Sequence, residues 1–573
     1  GAGGREWGHG PGALRRSAAT VGGRCHEAAR RMLGAADGGL TAREFDELFP
    51  WAEGWAQAAL GEGLFVAAGA GYRFASGALA DWLQGFHLDL PVALTMILAD
   101  TAPPPVGEES LPRPVGAHRR GGPVGWAPPV PVPGQPTGGG VPRWRLAVVR
   151  QALLGLGETD PQALESLLSR LVLCLDGPDA AAPGSEARWW AERLLSGTLQ
   201  RLPDAGTYAP LLRALAARVV YTAGTASPAA GDAEPFLPWD FWRALPLTVE
   251  ARLDVLRVLV RSGAEEAARL LAGVLVQDPG AALPLLCGWL ADERVSGIAA
   301  ETLFEQRHVA LDELTDALVD AAHSRADALL RGLAQAEPSA LGRAVDRWAH
   351  DPRPERHVAA ATLLPLLARH AAEGAAAERT LVRLAAEALL ARADEEALHG
   401  AAYAALVCDP QARPRHLVGA VTRYLAGDPL LGAAALVPAL DSDPALVLAG
   451  YAGRMREPGE EAAAVLRALG ATAAPRARAA AARLVREHLQ RRPETAAQVG
   501  GWVRARLAHG PAERETLLAF ARDAAAEQPE PVRWRIAEAL ADDGSALARE
   551  LRGVLNPAVT SPMRIEPQAH GKV

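Results

Sequence analysis

Residues Thr248–Gly263, T-V-E-A-R-L-D-V-L-R-V-L-V-R-S-G, decide the fold. Val249, Leu253, Leu256 and Val260 recur at helical spacing and Leu259 widens the apolar stripe, so the segment is a helix with one face to bury. Thr248 is placed to cap the first free N–H groups, Glu250 sits in the first turn where the helix dipole favours negative charge, and Gly263 offers a left-handed stop. A second helical stretch, A-E-E-A-A-R-L-L-A-G-V-L-V-Q, follows at once and is closed by Asp278-Pro279. Two antiparallel helices joined by one or two residues cannot bury their apolar faces alone, so neighbouring pairs must stack. The fold class this predicts is all-α: a HEAT/ARM-like α-solenoid over residues 143–555.

The same punctuation recurs along the chain. Helices are expected to stop at Asp278-Pro279, Asp351-Pro352, Asp409-Pro410, Asp428-Pro429 and Asp443-Pro444, because proline bars continuation and the following residues begin the next helix. Composition agrees: 49% of residues are hydrophobic but only 5% aromatic, so the cores are built of Ala, Leu and Val, which let helices approach closely. At 573 residues the chain is too long for one core and should divide into domains. With no apolar run near twenty residues, a membrane span is not expected.

Outward from the solenoid, residues 101–142 are dominated by proline and glycine (G-W-A-P-P-V-P-V-P-G-Q-P-T-G-G-G-V-P), which suits a linker rather than a helix or central strand. Residues 1–20 read as an irregular N-terminus and 556–573 as a disordered tail. Between them, residues 21–100 carry their own pattern. A helix is expected over Gly22–Leu33, another after the Thr41/Glu44 capping box, and a third after Pro50 with Trp51, Trp55 and Ala59 on one face. The runs Leu64–Ala67 and Tyr72–Phe74 around a Gly-rich turn signal a β-hairpin, and A-S-G-A-L-A-D-W-L-Q-G gives a last helix. Helix, helix, helix, hairpin is the order of a winged-helix module.

The string G-Y-R-F-A-S-G-A-L-A-D-W-L-Q-G-F-H-L-D-L resembles the end of the winged-helix segment that follows the nucleotide-binding core in STAND-type NTPases, signalling ATPases related to AAA proteins, and is similar to segments of large Ala/Gly/Pro-rich actinobacterial proteins of that sort. The resemblance covers about residues 20–95, and the nucleotide-binding core that precedes the module in that family is missing from this chain. It implies a C-terminal part of a larger ATPase system, with the core upstream or in another chain. The start at Gly1 without Met suggests a fragment or a processed piece of something longer, and with no long apolar stretch the first residues do not read as a signal peptide.

Function classes narrow by chemistry. The net charge of −8 disfavours a general nucleic-acid or anionic-membrane binder. The single lysine, Lys572, excludes both an internal Schiff-base lysine and a P-loop, which needs G-x-x-x-x-G-K-[ST]. Cys25, Cys174, Cys287 and Cys408 lie more than a hundred residues apart, which reads as reduced thiols of a cytoplasmic protein. No H-E-x-x-H, no Cys/His group at zinc spacing and no G-x-S-x-G is present, so no metal, no cofactor and no catalytic activity are expected. The candidate recognition helix offers only Glu53 and Gln57, and the wing only Arg73, too little for base reading.

What remains is partner binding. Trp51, Trp55 and Arg73 in the module, Trp239, Phe241 and Trp242, and the arginines Arg476, Arg483 and Arg486 are the candidate contact residues. The cluster Phe236, Trp239, Phe241 and Trp242 reads first as a pin fastening the preceding insertion to the solenoid and otherwise as a binding hot spot, and the arginines read otherwise as a solvated outer face. The expected function is a protein-interaction scaffold or sensor arm holding a protein partner on the solenoid. The rival is a nucleic-acid binder that uses the arginine face near 476–492.

Overall fold

The computed structural model describes residues 20–35, 37–98, 143–175, 186–225, 237–457 and 460–556. The expected linker, Phe236, and nearly all of the two terminal segments lie outside these residues. The described residues hold 29 helices and three short strands, an all-α, solenoid-like fold. The chain forms two compact units, Gly1–Leu286 with Asp292–Ile298, and Cys287–Ala291 with Ala299–Val573. The solenoid expected as one array from residue 143 is thus shared between two units.

The first unit begins with α1 (Val21–Gly34), β1 (Leu40–Thr41), α2 (Ala42–Leu48), a 3-10 turn at Trp51–Glu53, α3 (Trp55–Gly61), the hairpin β2 (Phe65–Ala68) and β3 (Gly71–Phe74), α4 (Gly77–Gly85) and α5 (Leu90–Leu98). The strands pair antiparallel in the order β1-β3-β2, with Phe65 opposite Phe74 and Leu40 opposite Tyr72. Thr41 and Glu44 make the expected reciprocal capping box. Phe45, Phe49, Phe65 and Phe74 are buried together in a small aromatic core. The sequence reading contained neither the two-residue strand β1 nor α5: two residues show no alternation, and L-P-V-A-L-T-M-I-L is apolar without helical periodicity.

One expectation is corrected here. Trp51 and Trp55 do not share a helix face, because Gly54 adopts φ 79° and splits the segment into a 3-10 turn and a separate helix. A left-handed residue ends a helix instead of continuing it, and glycine takes that conformation without steric cost.

Beyond the module, α6 (Leu146–Thr159) packs against α4 and α5. Arg145, buried just before α6, donates to Leu33 O at 2.6 Å and Ala35 O at 2.8 Å, covering carbonyls that the end of α1 leaves without helical donors. Further along the unit, Thr248 caps Ala251 N–H and Gly263 closes the following turn at φ 72°, as the sequence predicts.

In the second unit successive helices alternate between two layers. The helix Glu461–Gly470 packs on Ala496–Leu507, which packs on Glu530–Glu538; beside them Arg478–Arg491 packs on Arg514–Glu527, which packs on Ala546–Leu555. The Asp-Pro junctions work as read except at Asp428-Pro429, where the preceding helix already ends at Leu425. Asp443 accepts from Leu446 N–H with Pro444 at the first helical position, and Asp351 and Asp409 close the helices before them.

Candidate interaction surface

A solenoid becomes a binding surface where facing helices fail to fill the space between them, and side-chain size decides where that happens. The helices Arg478–Arg491 and Arg514–Glu527 lie side by side, linked at intervals. Arg478 reaches Glu513, with Nε 2.7 Å from Oε1 but out of line for a hydrogen bond, so that contact is Coulombic. Further along, Arg486 Nη1 donates to Asp523 at 2.7 Å and Gln490 Nε2 donates to Glu527 at 2.5 Å. Between the first two links the facing positions carry Ala479, Ala482, Thr516 and Ala519, and the short side chains leave a groove of about 260 Å³ lined in part by Phe520.

The groove's charges are mixed. Arg483 and Arg486 line it together with Glu515 and Asp523. Arg486 is held by Asp523. Arg483 is exposed, and no hydrogen bond or ion pair to another described residue holds it. His488, on the same helix, turns the other way into the core; burial first, then Arg492 and Arg491, hold its imidazole below its usual range.

The other candidates disperse. Arg476 lies in the turn before this helix and donates to Asp441 O at 3.4 Å, so the structure brings Arg483 and Arg486 together but not Arg476. Phe241 and Trp242 are buried, 1% and 3% exposed, with their rings edge to face at 5.0 Å. That packing takes them off the surface and leaves Trp239 half-buried beside them. Trp242 and its neighbour Arg243 also serve the fold through their carbonyls, which accept from Arg252 at 3.1 and 3.2 Å. In the module, Trp51 is exposed, Trp55 is half-buried beneath the Arg24 guanidinium at 4.5 Å, and Arg73 donates to Asp37 O at 2.9 Å.

Among the described residues no group of three or more His, Cys, Asp or Glu stands where it could hold a metal. Cys25, Cys287 and Cys408 are buried free thiols and Cys174 is half-buried and free; burial pushes the Cys287 thiol up to about 12. His357, as buried as His488, is bound at both ring nitrogens, Nδ1 to Glu395 at 2.8 Å and Nε2 to Asp351 O at 2.6 Å. It has no nitrogen to offer a substrate. Sequence reasoning missed both this knot and the groove, since each depends on residues 35 or more positions apart meeting across helices.

Folded this way, the chain is a helical-repeat protein with a small mixed α/β module before its first repeat helices and a two-signed groove between two helices of one layer. Compared with family models, with curated proteins and with solved structures, it matches none.

Proposed function

We propose that this chain is a non-catalytic interaction scaffold that holds a protein partner on its solenoid, with the groove between Arg478–Arg491 and Arg514–Glu527 as the contact. The observation that carries the reading is the groove itself, floored by alanines and Phe520 and edged by charges of both signs. An alanine-lined slot suits one inserted apolar side chain, and mixed charges suit a polypeptide better than a polyanion, which gains from unbroken positive charge. Arg483 and Glu515 then select the charges flanking the inserted side chain. The STAND-like resemblance of residues 20–95 extends the proposal: the scaffold serves as the sensor arm of an ATPase whose nucleotide-binding domain lies upstream or in trans, in the cytoplasm.

The test is a peptide-display selection on the full chain. It should enrich a motif with a large apolar residue flanked by an acidic one, and Ala519→Trp should abolish capture. An enriched motif indifferent to Ala519→Trp, or no motif at all, would refute the groove. Salt-dependent retardation of duplex or single-stranded nucleic acid would replace the protein partner with the rival reading. Saturable ATP binding in calorimetry would refute the separation of this chain from the nucleotide site.

A further inference from the structure

We propose that His26 and His87 form an acid-released latch that ties α1 to the end of α4 and thereby keeps the module closed on α6. His26 Nδ1 lies 3.2 Å from His87 Nε2, and the ring centroids are 5.4 Å apart with the planes at 81°. The second distance exceeds the first by nearly the full length of two ring radii laid end to end, the most the geometry allows, so the nitrogens face each other along the line of centres. That is the geometry of one N–H pointing at one lone pair. A shared metal ion at its usual distance of ~2.0–2.1 Å would bend both rings toward a common apex, and among the described residues no third ligand joins the pair.

A head-on imidazole pair counts protons. Two neutral rings supply one donor and one acceptor at the contact. The first added proton goes to the outer nitrogen of the donor ring and leaves the bond in place, now charge-assisted. The second must go to the acceptor nitrogen, which sets N–H against N–H and two cations face to face.

The surroundings make that second proton costly. His87 is held down to about 4, by burial first, then by His26 and Arg30, with Glu27 opposing; burial also lowers His26. Glu27 offsets this only in part, because Arg30 and Arg31 both bind its carboxylate. The charged groups on neighbouring elements are engaged elsewhere. Asp81 of α4 is coupled to Arg150 of α6, and Asp89, before α5, accepts from Val92 N–H at 3.3 Å. Both folded values lie below the ~6.5 of a free imidazole. The latch is therefore complete above that pH and is lost as pH falls toward 4.

The pair's position gives the latch its consequence. His87 follows α4 by two residues, and Gly85 seats α4 on α6, where a Cβ would meet Ala152 N at 3.0 Å and Gln151 Cβ at 3.2 Å. The end of α1 is fastened to the start of α6 by Arg145. The latch thus joins α1, fastened to the start of α6 by Arg145, to α4, which packs on α6, and its release frees Trp82 and Phe86, already 47% and 62% exposed around His26.

Hydrogen exchange on the full chain, followed by mass spectrometry from pH 7 to pH 4 and corrected for the chemical exchange rate, tests this. Segments 21–34 and 77–88 should lose protection by up to about tenfold per pH unit per proton taken up, before segment 413–425 in the second unit opens. His87→Gln keeps a group that can give or accept the bridging bond but cannot take the second proton, so its local pH dependence should vanish. An unchanged transition in H87Q, or a module that opens only together with 413–425, overturns the latch. If H87Q is already open at pH 7, NMR of the histidine Cε1–H groups in the unsubstituted chain decides. Two steps with the second below pH ~5 support the latch, and two independent imidazoles near the free value of ~6.5 overturn it.

Discussion

Two regions of the second unit use arginine in opposite ways. Around the junction of Pro338–His350 and Pro354–Glu373, cations are consumed internally. Arg356, buried, donates to Asp316 at 3.0 Å and Asp320 at 2.7 Å; Trp348 Nε1 donates to Asp316 at 2.6 Å; and Arg392 joins His357 on the carbonyl of Asp351. Along Arg478–Arg491, by contrast, Arg478 and Arg486 reach carboxylates of the neighbouring segment, but between them Arg483 lines the groove beside Ala479, Ala482 and Ala519 and extends toward water. The first region is architecture: a planar fork covers helix-end carbonyls and carboxylates that packing alone would leave unpaired. The second is a surface, because no described residue completes it.

The contrast predicts a hierarchy of effects, set by how deeply the partner of each arginine is buried. The largest belongs to Arg506, which donates to Glu513 Oε2 through Nε at 2.9 Å and to the carbonyls of Leu469, Thr472 and Ala473. Glu513 is itself 1% exposed. Arg506→Ala leaves that carboxylate to Arg478 alone and strips three carbonyls of their donor, so denaturant unfolding of the second unit should show a loss of about 3 kcal/mol or more. Replacing both partners by apolar residues of similar volume should recover much of it, since the penalty comes from the orphaned charge. A full loss in the double variant would show that the guanidinium–carbonyl bonds matter more than the ion pair.

Arg356→Ala should cost less, about 1.5–3 kcal/mol by the same unfolding measurement. Asp316 and Asp320, at 42% and 57% side-chain exposure, can turn to water when their partner goes. Equal losses at Arg356 and Arg506 would mean that partner burial does not set the scale.

How much of this could be read beforehand follows the range of the interactions. The Thr41/Glu44 box, the Thr248 cap, the Gly263 stop and the Asp443-Pro444 junction are decided within four residues, and sequence pattern reaches them. The hairpin was legible from its two apolar runs, although β1, which pairs across thirty residues, was not. An aromatic cluster looks the same in a core as on a surface, so the sequence offers both a structural pin and a hot spot at Phe241 and Trp242, and the structure buries both. Arg483 and Arg486 were visible as a charged face, but their separation into one free and one held by Asp523 depends on a helix 37 residues on. The signal that could have exposed the groove was the coincidence of Ala479, Ala482 and Ala519 with charges of opposite sign on two helices one repeat apart.

The smallest effect is also the most discriminating. Arg483→Ala and Ala519→Leu alter the groove without touching a buried polar group, so each should change unfolding free energy by no more than about 0.5 kcal/mol. Ala519→Leu should gain slightly if its side chain settles against Phe520 and fills space that is empty in the free protein. Capture of the selected peptide should nevertheless fall at least about tenfold in both variants, equivalent to about 1.4 kcal/mol, measured by fluorescence anisotropy. A groove that merely records imperfect packing would show the first result without the second. A destabilised Ala519→Leu variant would place that alanine in the core, and would move the surface away from this pair of helices.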